Sequence, residues 1–595
     1  MDGSSRWLTD DATFQRTMLA AGPSFLSIIG HPGTGKTISA AFLTQYLSQS
    51  SGRVILHFFC RSSVRARRTT LYVLRSLLWQ LLQHDTSLYS TVAHWCFRTD
   101  RSLANSVRNL GSVLTACLQA TSVSSVSIIV DALDECLDGS DLVLALSGAS
   151  MVASCCTKVF FFSRHHVPWL HRPPLRMETL YLTCEKYQAS VDLYVEQRLS
   201  QILLQESPSP QIRSTPPRFP ATSASWLSAR LLLDELRQIS SWESVRKRFS
   251  ESLQGLNHLY SLILTEREAG FSEMELRMAQ ELFLWVDKSE YIPEWLRWRG
   301  QEEVLDDEMI SAILGFASAS NELYDPATVI ERVASPLLEV RFTSSSLATD
   351  QHGMPREKAH FVVEFTHRTA EDFLAWGLSV PNNDLPASLQ TRRLASLYRG
   401  VTATWYFGQS RGFADQLQQL RQCPRDCMLP TYLGMNYGLW TALQLPGLQP
   451  DLNQDEIAQV GMLCEQLNTF LTTDQCLPWI EAAIISHHAE MWNQLLEHVD
   501  DILAMPLNHS VLAPGFQQFH YARQGLMADF IYALAMTWPP HALPRRMTAR
   551  ANTPPHGFYQ RPLARKIMHL TAQYQWLVAI NHASPNGGLG TVRSI

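Results

Sequence analysis

Eight consecutive residues, Gly30-His31-Pro32-Gly33-Thr34-Gly35-Lys36-Thr37, carry the spacing GxxxxGK[ST]. Glycine at these places lets the backbone take positive φ and puts no Cβ in the way, so successive N–H groups and the start of a following helix can face a polyphosphate. Lys36 would add a point charge at the β and γ phosphates. Thr37 would offer a hydroxyl to Mg2+, a hard cation that takes oxygen ligands and bridges phosphates. Farther on, Asp131-Ala132-Leu133-Asp134-Glu135 gathers three carboxylates. Asp131 is the expected metal-side carboxylate. Asp134 or Glu135, about a turn beyond, would orient or deprotonate a water attacking the γ phosphate, and Glu135 is the favoured base. A third run, Lys158-Val159-Phe160-Phe161-Phe162-Ser163-Arg164, ends in a cation. Arg164 either senses the γ phosphate or satisfies a carboxylate at the sheet edge, and the residue types alone leave both readings open.

These groups meet only if strands deliver them to one edge. From Ser24 to about Leu204, short apolar runs alternate with helical spacing, the order of a βαβα fold. FLSII enters the phosphate loop, and Phe42, Leu43, Tyr46 and Leu47 mark the helix after it. VILHFF precedes a helix with Leu74, Leu77, Leu78 and Leu81. SVSIIV, KVFFF and METLYL complete five strands. Runs apolar at nearly every position suit parallel strands covered on both faces, with the ligand crevice at their carboxyl ends. The expected fold is therefore an α/β P-loop core with a parallel five-stranded sheet.

Beyond it, residues 206–225 are rich in Pro, Ser and Thr and read as a linker. Helical spacing fills 226–290. Residues 291–378 combine helices with two strand-like pieces, LLEVRF and HFVVEF, split by the polar stretch Thr343 to Lys358; this reads as a winged helix. Residues 379–595 give amphipathic helices, such as the one carrying Trp492, Leu495, Leu496, Val499 and Leu503, with no fixed internal period. The domain reading is thus an N-terminal segment 1–20, the P-loop domain 21–205, the linker, the helical domain, the winged-helix-like domain and a helical C-terminal region of unassigned role.

Taken together, GHPGTGKT, IIVDALDEC and FFFSRHH resemble the Walker A, Walker B and sensor 1 segments of the NACHT class of signal-transducing P-loop NTPases, in the fungal form similar to the N-terminal part of nephrocystin 3. HFFCRSS with TTLYVLRSLLWQLL is similar to the second strand and helix of that group, and SASWLSARLLLDEL and GLNHLYSLIL to the helical segment after its core. VEFTHRTAEDFL looks like the end of its winged helix, which puts His367 where relatives have a histidine touching the nucleotide phosphates at rest. The resemblance covers roughly residues 20–376. It implies strand order 5-1-4-3-2, ATP or GTP with Mg2+, slow hydrolysis, and a conformational change leading to self-association. The alternative expectation is a nucleotide-bound scaffold that does not hydrolyse. Two features depart from the group. Ser252-Leu253-Gln254-Gly255-Leu256 stands where a Leu-Pro pair is usual, and no long effector region precedes Gly30, so an effector is either absent or supplied by another chain.

Composition narrows the classes. Of 595 residues 46% are hydrophobic and 17% charged, enough to bury cores rather than stay disordered. Lys and Arg number 49 against 55 Asp and Glu, a net charge of -6, which disfavours general nucleic-acid binding. Arg61, Arg65, Arg67 and Arg68 read as a solvated or inter-domain surface. No apolar run is long enough to span a membrane and the start lacks a signal peptide, so a cytoplasmic protein is expected. The 11 cysteines fit a reduced compartment, and neither Cys423 with Cys427 nor the histidines His165, His166, His171, His487 and His488 have companions at metal-ligand spacing. Trp285, Trp295 and Trp298 read as packing residues. Expected partners are the nucleotide, further copies of the chain on activation, and an unknown protein held by the C-terminal helices.

Overall fold

The five apolar runs form one parallel sheet in the computed structural model: β1 Ser24–Ile29, β2 Arg53–Phe59, β3 Ser125–Asp131, β4 Cys156–Ser163 and β5 Met177–Tyr181. The structure describes residues 5–49, 52–62, 67–98, 106–164, 177–205, 225–235, 255–286, 305–318, 325–349, 355–381, 384–422, 435, 438–439, 442, 452–485, 514–537 and 554–574. Strand order is β2-β3-β4-β1-β5, the 5-1-4-3-2 order that the resemblance implied. Burial follows position. The inner strands β1, β3 and β4 are buried at nearly every residue, whereas the edge strands β2 and β5 expose part of theirs. Inner strands of a parallel sheet have helices on both faces and so need apolar side chains pointing both ways.

The two faces are filled by different residues of the same strands. Phe160 and Phe162 of β4 pack with Leu26, Ile28, Ala40, Leu43 and Leu47, on the side of the helix Lys36–Ser48. Val159 and Phe161 pack with Leu74, Leu77, Leu114, Leu118 and Leu142, from the helices Thr70–His84, Val107–Ala120 and Gly139–Met151. Each fully buried Phe contributes about 2 to 3 kcal/mol of transfer free energy. This packing fixes the height at which Ile29, Asp131 and Ser163 end, because β1 pairs Ile29 with Ser163 and β3 pairs Asp131 with Phe59. Three motif-bearing strand ends therefore share one edge.

The chain divides into two compact units. The first holds the described residues up to Ile263 together with His367–Phe373, and the second holds those from Leu264 to Thr366 and from Leu374 onward. In the first unit the helices Cys184–Gln205 and Trp226–Glu235 follow the sheet.

In the second unit, β7 Leu338–Thr349 and β8 Pro355–Phe365 pair antiparallel, and β6 Leu305–Asp306 adds to β8. The strands run well into the polar stretch 343–358, which sequence polarity reads as a separator. Antiparallel pairing satisfies backbone groups whatever the side chains are. Helices include Glu273–Val286, where Trp285 is buried as expected, Asp307–Ser318, Ala395–Gln409 and Gln454–Thr472, the last closed by a capping box of Asn453 and Glu456. The region after 379 is helical among its described residues. The expected helix from Trp492 to Leu503, most of the linker, Trp295, Trp298, Arg65, Cys423, Cys427 and the five histidines considered as ligands lie outside the described residues. No helix among the described residues is long and apolar enough to cross a membrane, and none of their His, Cys, Asp and Glu form a group of three able to hold a metal ion.

Candidate functional site

Backbone geometry of residues 30–37 is that of a phosphate cradle. Gly33 and Gly35 have φ of +76° and +88°, the left-handed region where an L side chain is strained, and Gly35 starts the helix Lys36–Ser48. Gly30 leaves β1 with its N–H donated to Ser163 O at 3.2 Å, which ties the loop to the end of β4. A Cβ on Gly30 would stand 2.8 Å from Thr34 Oγ1. Thr34 Oγ1 itself donates to His31 O at 2.8 Å. His31 and Thr37 are exposed, and Pro32 is half-buried between them and the glycines.

Lys36 curls back over this loop. Its Nζ donates to Gly30 O and His31 O, both at 2.8 Å. Burial lowers its pKa to about 8, with Asp134 opposing that shift. An ammonium ion held only by neutral carbonyl oxygens can exchange them for a stronger anionic partner.

Asp131 ends β3 in full burial. Its carboxyl accepts from Thr37 and from the Ala132 N–H, and desolvation raises its pKa to about 6. Among the described residues Oδ1 of Asp131 has no hydrogen-bond partner. A buried carboxylate oxygen left without a donor, next to a threonine hydroxyl, is costly unless a cation completes it. These two oxygens fit Mg2+ in chemistry and number, since that ion usually keeps water and phosphate as its other ligands.

Ala132 then turns the chain. Its φ of 52° and ψ of 47° make it the one non-glycine with positive φ among the described residues, and a 3-10 turn, Leu133–Glu135, follows. Fully buried Leu133 anchors that turn in the core. Strain of this kind persists where surrounding packing over-determines it, and here it folds Asp134 and Glu135 back toward the strand ends. Asp134 accepts the Arg164 backbone N–H at 3.1 Å, and its other oxygen lies 3.2 Å from Arg164 Nε. Glu135 Oε2 accepts the Ser62 N–H at 2.9 Å, and burial raises its pKa.

Arg164 and His367 are brought to the same edge. Arg164 Nη1 donates to Asp372 at 2.8 Å, so the guanidinium spans two carboxylates. Its sheet-edge carboxylate is Asp134, and its charge also acts on Lys36. His367 is partly buried, and its pKa falls to about 4 through desolvation, then through the charges of Arg164 and Lys36. Its Nδ1 accepts the Thr369 N–H at 3.1 Å and lies 2.9 Å from Thr369 Oγ1, which meets Tyr260 OH at 3.0 Å. With Nδ1 accepting, the neutral ring carries its proton on Nε2.

Residues 3–164 match the family described as nephrocystin 3, N-terminal. This stretch is similar to that family. The match spans the cradle and the acidic turn, and it ends on Arg164. Vegetative incompatibility protein HET-E-1 of Podospora anserina is 25% identical over 210 residues, which are 33% of this chain and 15% of that protein. The chain thus spans only a small part of this curated relative. Among solved structures, that of Drosophila ORC bound to DNA is 15% identical with a TM-score of 0.25, covering 62% of this chain and 92% of its own. The Aeropyrum pernix ORC1 protein in complex with DNA is 13% identical with a TM-score of 0.27, covering 62% and 91%. At such scores neither likeness carries an argument about this chain.

Five residues around this core have contacts that the sequence does not announce. Trp226 abuts the cradle, for a Cβ on Gly35 would stand 2.5 Å from its Cδ1, and Leu227 N–H donates to Gly33 O at 3.3 Å. Ser62 holds Glu135. Arg368 Nη1 donates to Ser62 Oγ at 2.9 Å, and Asp372 holds Arg164. Arg368 and Asp372 carried a signal as charged residues one and five places after the singled-out His367, whereas Ser62, Trp226 and Leu227 stood only in stretches that matched the resemblance.

Proposed function

We propose that the chain is a magnesium-nucleotide-binding switch of the NACHT type, with ATP or GTP as ligand and slow hydrolysis. The observation that carries this reading is the buried, unpartnered Asp131 Oδ1 beside Thr37 at the mouth of a left-handed glycine cradle. In this reading the N–H groups of residues 33–37 hold phosphate oxygens, and Lys36 Nζ leaves its two carbonyls to join them. Thr37 and Asp131 hold Mg2+, which when bound supplies positive charge to the phosphate oxygens. Glu135, its basicity raised by burial, takes a proton from the attacking water, and Asp134 keeps Arg164 at the γ phosphate. His367 donates Nε2–H to a phosphate oxygen in the resting form.

Slow turnover suits a device whose output is a change of conformation, because the bound nucleotide then sets how long each form lasts. The family match and the relative HET-E-1 support the nucleotide-binding part of the reading. The antiparallel β7 and β8 with the helix Arg368–Gly377 after them support a winged helix that carries His367, and self-association on activation extends the same proposal. Arrest of Glu135 by the Ser62 N–H favours a second reading, in which the nucleotide is held without hydrolysis and the chain acts as a scaffold.

The test is the magnesium dependence of binding in Asp131→Asn. Wild type should bind ATP or GTP at least about tenfold more tightly with Mg2+ than with a chelator, and the variant should lose that gain. An undiminished gain in the variant would refute the assignment.

A further inference from the structure

We infer that Asp372 is a positioning residue that competes with the nucleotide's terminal phosphate for Arg164. This rests on the cradle reading above and names how the same site is regulated. Arg164 has two acidic partners of different character. Asp134 receives both its backbone N–H and its Nε, and the Asp134 side chain is only 7% exposed. That partner is fixed, since separating the two would leave a buried charge unpaired. Asp372 receives Nη1 alone and is 40% exposed. Water can solvate it when it lets go, so this bond is the exchangeable one.

The carrier of Asp372 touches the site at several places. Within His367–Phe373, which packs in the same compact unit as the cradle, Arg368 donates to Ser62 Oγ at 2.9 Å while the Ser62 N–H holds Glu135. Arg368 also pairs with Glu371 at 3.0 Å and lies 3.4 Å from Asp372. Thr369 is tied to Tyr260, and Phe373 lies 5.3 Å from the Tyr260 ring. The segment is thereby held at a set height, and Asp372 reaches Arg164 without freedom to follow it. A terminal phosphate bearing more charge than one carboxylate would draw Nη1 away, and a diphosphate would lack the group that does so. Asp372 would thus weaken triphosphate binding selectively and couple phosphate length to the grip on His367–Phe373.

The experiment is a calorimetric cycle on the full chain with Mg2+, comparing ADP with an ATP analogue whose β–γ bridge is an imide. The variants are Asp372→Asn, Arg164→Ala and the double substitution. Asp372→Asn should tighten the triphosphate analogue about three- to tenfold while ADP changes less than about twofold, and in the Arg164→Ala background it should change neither. An unmoved ratio in a chain that binds both nucleotides would overturn this inference alone. The same shift without Arg164 would overturn it too, since Asp372 would then act through another group. If wild type binds neither nucleotide, the inference and the cradle reading fall together.

Discussion

Ser62 donates its backbone N–H to Glu135 Oε2 at 2.9 Å, so a residue three places past the end of β2 holds the carboxylate that the turn after β3 delivers. The bond keeps Glu135 at a set place, and burial raises its pKa, which makes the ionised form a better base. Glu135→Gln keeps an oxygen that can accept from Ser62 and removes the base. Phosphate release in a single turnover should slow by about a hundredfold or more, while nucleotide affinity changes little. Equal release rates in the two proteins would favour the scaffold reading.

Gly35 and Trp226 should be coupled. At φ +88° a side chain is strained, and a Cβ there would press 2.5 Å from the indole. Gly35→Ala should destabilise the chain by about 2 kcal/mol or more, with loss of nucleotide binding. Adding Trp226→Ala removes the clash but not the backbone strain, so the double variant should melt higher than the sum of the two losses implies. Strict additivity of the Tm changes would contradict the contact.

Much of this site was written in local sequence. The glycine spacing determines the cradle, and apolar runs ending in Ile29, Asp131 and Ser163 determine which groups share an edge, because each run had to be buried on both faces. The small side chain at Ala132 tolerates the left-handed turn that a β-branched residue would resist. The contacts made by Ser62, Trp226, Arg368 and Asp372 were not legible. Each joins segments distant from one another in the chain, and a contact between distant segments leaves no periodicity. The extension of β7 to Thr349 was hidden for a related reason: ladder bonds belong to the backbone, and polar side chains do not reveal them.

His367 gives the site a pH signature. Its folded pKa of about 4 lies below the ordinary histidine value, so between pH 4 and 6.5 the unfolded chain binds more protons than the folded one. The stability it contributes is present above pH 6.5 and is lost as pH falls toward 4, by about 2 kcal/mol after allowance for partial exposure. Asp131, raised to about 6, slopes the opposite way, losing stability as pH rises from about 4 to 6. That slope is common to wild type and His367→Gln and cancels in their difference. The Tm advantage of wild type over His367→Gln should therefore shrink between pH 7 and pH 4.5. A constant difference would show that the ring is not held neutral.

The central claim is that the cradle beside Lys36 grips a polyphosphate. Titration of the purified full chain with ATP and with GTP in the presence of Mg2+, run beside Lys36→Ala, addresses it directly. One of the two nucleotides should bind wild type with a dissociation constant in the micromolar range or below, and Lys36→Ala should weaken that binding by about a hundredfold, as expected on losing a partly buried charge from a phosphate site. No heat from either nucleotide at millimolar concentration, or equal affinity in the two proteins, would contradict it.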